Sequence, residues 1–218
     1  INEQDETYIN DNEVRILKAI NGEYDYKYQS LMLPDAPVLM DNQEKGGYTI
    51  ELIPPISSPV IGINVTHADE EKRKVFSNIK FRQAMSVAMN RDEINDVAYY
   101  GLGKPVQYTG FSPVPDFVDP KWGSYFIKHD MALAKSLFDE IGVVDKDGDG
   151  FRDLLNGSQL VVNIQYATQG MPGAVVELIA QHWNNVGIKT IFKEVTPDEY
   201  RSAQGANELD VHMWTTAQ

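Results

Sequence analysis

Phe76-Ser-Asn-Ile-Lys-Phe-Arg-Gln-Ala-Met-Ser-Val-Ala-Met-Asn-Arg-Asp-Glu-Ile94 is the stretch from which the fold is read. Phe81, Ala84, Met85 and Ala88 recur at helical spacing, and Arg82 and Gln83 fall on the opposite face. Asn90 restarts a helix with Glu93 three residues on, an N-cap with a capping-box partner. The spacing therefore predicts two short helices joined by an Asn-Arg-Asp corner. Such a corner offers little to an active site and is read as scaffold. Arg82 is expected to anchor the helix pair to neighbouring carbonyls or carboxylates.

Working outward, the composition limits what the chain can do. Its 218 residues carry 42% hydrophobic and 23% charged side chains, ordinary values for a packed globular core. The net charge of −13, from 19 basic and 32 acidic residues, argues against nucleic acid, which requires clustered Lys and Arg to neutralise phosphate. It argues equally against docking on an anionic membrane surface. With no cysteine, thiolate catalysis, disulfides and Cys-ligated zinc are excluded. No apolar run approaches the ~18 residues that indicate a membrane span. The chain opens at Ile1-Asn2-Glu3-Gln4 and stops at Thr215-Thr216-Ala217-Gln218, after an apparent strand. It is read as an internal piece of a larger protein.

The rest of the chain reads as follows. Residues 11–21 form a helix with Val14, Leu17 and Ile20 on one side, closed by Gly22. Strands are expected from Glu23, over Tyr48 to Ile53 and over Val60 to Val65, with a short helix between Pro34 and Gln43. Residues 101–128 have little periodicity. The aromatics there (Tyr108, Phe111, Phe117, Trp122, Tyr125, Phe126) are expected mainly to pack the segment down. From Asp130 a helix carries Leu133, Leu137, Phe138 and Ile141 and ends at Gly142. Strand Leu160 to Tyr166, helix Gly173 to Val186, strand Ile188 to Val195, a helix opened by Thr196-Pro-Asp-Glu199 and strand Leu209 to Trp214 complete it. That alternation predicts parallel α/β pairing.

The opening segment resembles the F-x-x-x-x-x-R-x-A-x-x-x-A-x-(D/N)-R-x-x-I signature of the family 5 extracellular solute-binding proteins, receptors that feed peptides, nickel complexes or oligosaccharides to ABC importers. Further matches follow in order: Ala19-Ile-Asn-Gly-Glu-Tyr-Asp25, Ile61-Gly-Ile-Asn64, Gly101-Leu-Gly-Lys-Pro105, Asp130 through Gly142, Asp145-Lys-Asp-Gly-Asp-Gly150, Gly187-Ile188, and Asp210 to Trp214. The resemblance covers nearly the whole chain. It implies an α/β fold with a mixed sheet flanked by helices: residues 1–218 as one lobe, the second of a two-lobed, cluster C periplasmic-binding-protein-like receptor, without the first lobe and the C-terminal return. It further implies a non-enzymatic, monomeric component of an ABC importer. Such a component is periplasmic, or extracellular and membrane-anchored. It captures an oligosaccharide or oligopeptide by hinge closure and delivers it to a membrane permease.

Candidate ligand-binding residues under this resemblance are Asn64, Tyr108, Phe111 and Trp214. Asn64 ends a strand, where it either faces the cleft or holds a turn. Trp214 stands where chains of this family cross toward the cleft, and is read either as an aromatic contact for a sugar or side chain or as a core residue. Peptide-binding relatives usually have an Asp three residues after this Trp, paired with the peptide amino terminus; here the position is Ala217. That departure shifts weight toward uncharged ligands such as oligosaccharides.

Asp145-x-Asp147-x-Asp149-Gly150 has the spacing of the first half of an EF-hand loop. Asp153 falls at the ninth position, but Arg152 occupies the eighth and Asn156 stands where the closing Glu belongs. Calcium at Asp145, Asp147, Asp149 and Asp153 is thus a minor alternative to an exposed Asx-rich turn, and no cofactor is expected. His67, His129, His182 and His212 are scattered, without metal-pair spacing. No nucleophile-elbow or phosphate-loop sequence is present. The competing readings are an α/β hydrolase or transferase domain and a calcium-stabilised structural module.

Overall fold

The computed structural model describes residues 5, 7, 9, 11–27, 31, 33–52, 59–107 and 115–215. The chain divides into two compact units, Ile1–Pro54 and Pro55–Gln218. Among the described residues no helix is long and apolar enough to cross a membrane.

The first unit is helical where it is described. Helix α1 (Asn12–Ile20) starts at Asp11, whose carboxylate accepts the Val14 N–H at 2.9 Å. It ends against Gly22 at φ +72°, where an added Cβ would lie 2.4 Å from the Gly46 carbonyl oxygen. A 3-10 turn (Leu33–Asp35) leads into α2 (Ala36–Asp41) and the single turn α3 (Gln43–Gly46). The strands expected from Glu23 and over Tyr48 to Ile53 are not formed at the described positions: 23–26 and 48–52 are irregular, and Ile53 lies outside the described residues. The polar groups of the second segment turn to the helices instead. Ile50 N–H donates to Gln43 Oε1 at 2.7 Å, and the Tyr48 hydroxyl donates to the Leu39 carbonyl at 2.7 Å. A strand without a ladder partner has no reason to stay extended.

The second unit holds the α/β structure. Strand β1 (Pro59–Ile63) is followed by α4 (Glu70–Phe76), α5 (Ile79–Ala88) and α6 (Arg91–Tyr99). A 3-10 turn (Pro120–Ser124) precedes α7 (Met131–Glu140), and β2 (Val161–Tyr166), α8 (Gly173–Asn185), β3 (Lys189–Glu194), α9 (Pro197–Gly205) and β4 (Val211–Thr215) complete it. Strands β2 and β3 pair in parallel across α8, as the alternation predicts. Strand β4 departs from that expectation. It pairs antiparallel with β1, Val60 opposite Trp214 and Ile63 opposite Val211, and packs beside β2. Both senses of pairing therefore occur, in keeping with the mixed α/β class.

The signature segment builds the centre of this unit. Phe76 and Phe81 are fully buried and stacked with centroids 5.4 Å apart, and Phe138 of α7 lies 5.5 Å from Phe81. Arg82 acts as expected: its guanidinium donates to the carbonyls of Phe76 (2.9 Å) and Ser77 (2.7 Å), tying the end of α4 to α5. Asn90 caps α6 through the Glu93 N–H, but the reciprocal half of the capping box is absent. The Asn90 N–H donates to His182 Nδ1 at 3.3 Å, and the Glu93 carboxylate takes His182 Nε2 at 2.9 Å. A buried imidazole from α8 thus replaces the direct bond. Arg91 is held by the Ser86 and Ile127 carbonyls, and burial lowers its pKa to about 10, so it stays charged at neutral pH.

Candidate functional site

The β1–β4 ribbon carries the two candidate site residues that the structure describes, at opposite ends. Trp214 pairs with Val60, whereas Asn64 follows Ile63, the partner of Val211. Four residues of strand separate them, about 13 Å. Tyr108 and Phe111 lie outside the described residues.

At the β1 end, Asn64 holds a turn. Its amide nitrogen donates to Asn207 Oδ1 (2.9 Å) and to the Leu209 carbonyl (2.8 Å), and its side-chain oxygen accepts the Thr66 N–H (3.0 Å) and hydroxyl (3.1 Å). Both amide hydrogens and the oxygen are committed within the protein.

Beside it sits a cluster that sequence reading missed. Asp210, 2% exposed, accepts from Lys72 Nζ at 2.8 and 3.0 Å, from His67 Nε2 at 2.9 Å, and from the Asn163 backbone (2.7 Å) and amide (3.0 Å). His67 Nδ1 accepts the Asp69 N–H at 2.9 Å, which fixes the ring as the Nε2–H tautomer, with Nε2 donating to Asp210. A His–Asp pair of this kind orients the base in hydrolases, but here the second ring nitrogen is spent on backbone and no nucleophile can use it. The cluster borders a cavity of about 470 Å³ also lined by Gln165 and Phe192. Its members stand as far as 143 residues apart, from His67 to Asp210, so only Asp210, through the D-x-x-x-W match, was visible in the sequence.

At the other end Trp214 is half-buried against α9. The Tyr200 ring lies 4.9 Å from it at 31°, and the Arg201 guanidinium lies 5.8 Å from the ring centre. The Tyr200 hydroxyl accepts the Met213 N–H at 2.9 Å and stands 3.0 Å from His212 Nδ1. Burial holds the His212 imidazole below its usual pKa. Trp214 is thus the one described candidate that combines an aromatic surface with partial exposure and a fixed setting.

The 115–126 aromatics depart from the expectation that they pack the segment down. Phe126 packs on the core, but Phe117 is 80% exposed and Trp122 and Tyr125 about half exposed. The last two stack on each other with centroids 5.2 Å apart, and the Tyr125 ring also meets Phe126 at 6.0 Å.

The acidic loop gathers Asp145, Asp147 and Asp149, one oxygen of each within 4.8 Å of the others. Asp153 stands apart, 2% exposed and accepting the Lys146 N–H at 2.8 Å. The three carboxylates already accept backbone N–H groups: Gly148 and Gly150 on Asp145, Asp149 on Asp147, Phe151 on Asp149. Those bonds hold the Asp145 carboxyl below its ordinary range and brace the turn. Arg152, at the eighth loop position, is drawn inward to the carbonyls of Val143 and Val186 and to Asp139. Calcium at 1 mM is therefore expected to leave the thermal midpoint unchanged, and a rise of more than about 3 °C over metal-free protein would contradict this.

Comparison with known proteins points one way. Residues 5–218 match the sequence profile described as bacterial extracellular solute-binding proteins, family 5, middle region. A probable ABC transporter-binding protein of Deinococcus radiodurans is 35% identical over 135 residues, 61% of this chain and 22% of that protein. A periplasmic alpha-galactoside-binding protein of Rhizobium meliloti is 29% identical over 151 residues, 63% of this chain and 20% of that protein. A solved oligopeptide-binding protein, OppA, superposes with a TM-score of 0.75 at 30% identity, over 96% of this chain and 34% of its own. The chain thus spans about a fifth of the length of these curated relatives and about a third of that structure.

Proposed function

The chain belongs to the bacterial extracellular solute-binding proteins of family 5, and on that premise we propose that it is part of the substrate-binding component of an ABC-type importer. In this reading residues 1–218 belong to one lobe of a larger receptor outside the cytoplasmic membrane. Solute bridges that lobe and a second one, stabilises the closed state by binding it better than the open one, and is passed to a permease. The family is a transport family and not an enzyme class. We extend this to the chain: it acts by binding, without chemistry of its own, as a monomer.

The observation that carries the site is Trp214, half-exposed and braced by Tyr200 at 4.9 Å. We propose that it meets the solute and that the solute is an uncharged oligosaccharide. Ala217, in place of the Asp usual in peptide binders, supports this, as does the likeness to an alpha-galactoside-binding protein. Titrating the full-length receptor with stachyose, raffinose, trialanine, a mixed pentapeptide and nickel, read by thermal shift and calorimetry, tests the assignment. Stabilisation by the galactosides is expected; a response confined to peptides or nickel would overturn it.

A single lobe supplies half of a cleft, so residues 1–218 alone are expected to bind stachyose with a Kd weaker than about 1 mM. Micromolar binding by the isolated chain would contradict the two-lobed mechanism.

A further inference from the structure

The seat of Trp214 has one unusual wall. A Cβ built on Gly170 would lie 2.3 Å from Trp214 Cε3, 2.4 Å from Cδ2 and 2.9 Å from Cζ3. A carbon so close to three consecutive ring atoms stands over the face of the six-membered ring; in the ring plane it could not approach all three. The turn that brings Gly170 there is fixed by its own backbone, with the N–H groups of Gly170 (2.8 Å) and Met171 (3.1 Å) both donating to the Ala167 carbonyl. Gly170 is not among the residues with positive φ, so backbone freedom is not what this position requires. What it requires is the missing side chain.

Tyr200 braces the same indole, and its hydroxyl is itself held by the Met213 N–H. The ring is therefore held between the turn after β2 and α9 by contacts within the protein.

We propose that Gly170 is a positioning residue for Trp214: by carrying no side chain it lets the turn after β2 lie on the indole, and so orients the ring before solute arrives. The role for binding rests on the reading of Trp214 as a solute contact; the seat itself does not. An indole oriented in advance loses less freedom on binding.

The test is a double-mutant cycle of Gly170→Ala and Trp214→Ala, read without ligand by thermal midpoint and tryptophan emission, then by stachyose titration of the full-length receptor. The chain has three tryptophans, so the Trp214 signal is the difference from the Trp214→Ala spectrum. Gly170→Ala alone is expected to shift the Trp214 emission and lower the midpoint by roughly 3–10 °C, as overpacking does. In the Trp214→Ala background the same substitution is expected to be neutral, because the added methyl then meets empty space. A parental spectrum and midpoint for Gly170→Ala would overturn the proposal, and so would an equal penalty in both backgrounds. If Gly170→Ala fails to fold, recovery in the double variant supports the seat and continued failure refutes it. In the receptor Gly170→Ala is expected to weaken stachyose binding roughly tenfold. Unchanged stachyose binding by Trp214→Ala would end the reading of Trp214 as a solute contact while leaving the ligand-free cycle to decide the seat.

Discussion

Replacing Asp210 with Ala is expected to cost about 3–5 kcal/mol of folding stability, since truncating one member of a buried ion pair strands its partners. Lys72 Nζ would lose both carboxylate contacts, at 2.8 and 3.0 Å, in a site where its side chain is only 15% exposed. His67 Nε2 would lose its acceptor, and the Asn163 backbone and amide groups would lose theirs. The carboxylate alone links α4, β2 and the start of β4, so its loss is felt by three elements at once. Against a typical total of about 5–15 kcal/mol, a change of this size takes a large share of the stability. Urea unfolding measures it, and a loss below about 1 kcal/mol would show the cluster to be incidental. Lys72→Met reports on the same pair if the Asp210 variant does not fold: the carboxylate keeps His67 and Asn163, so the expected loss is smaller, and the combined variant should be sub-additive.

Trp183→Ala is expected to cost a comparable amount, about 3–5 kcal/mol, as large-to-small changes of buried aromatics do. Trp183 is fully buried on α8, in the core cluster with Phe81, Met85 and Ile179. Its indole N–H donates to the Met85 carbonyl at 3.0 Å, in the last turn of α5, where α5's own N–H groups have run out. Trp183→Phe separates the two contributions. It keeps most of the apolar volume and leaves the Met85 carbonyl without this donor, so about 1–3 kcal/mol is expected. Denaturation of both variants checks the ratio. Equal losses for Phe and Ala would place the whole effect in the hydrogen bond and refute the packing argument.

Both changes act on features with different visibility in the sequence. Trp183 falls on a helix whose apolar period is plain, Val175, Ile179 and Trp183 being buried together. Its bond to Met85 crosses 98 residues and has no local trace. The acidic loop was legible as spacing, yet its chemistry turned on where Arg152 and Asp153 point, and both point inward. Spacing alone reports which oxygens are near one another and not whether N–H groups already occupy them. The two misplaced strands of the first unit failed for a related reason: propensity marks a segment that fits a ladder and does not supply the neighbour.

What the sequence determined by itself was local and periodic. Helix faces, caps such as Asn90 and Thr196, and the ordered run of short motifs all depend on neighbours within a few residues, and together they identified the family. The tertiary structure decided the rest. It paired β4 with β1 at the far end of the second unit, gathered His67, Lys72, Asn163 and Asp210, gave both ring nitrogens of His182 to the start of α6, and laid Gly170 on Trp214. Each of these joins residues dozens to more than a hundred positions apart. Contacts at that range follow from which surfaces bury together, and no periodicity along the chain records them.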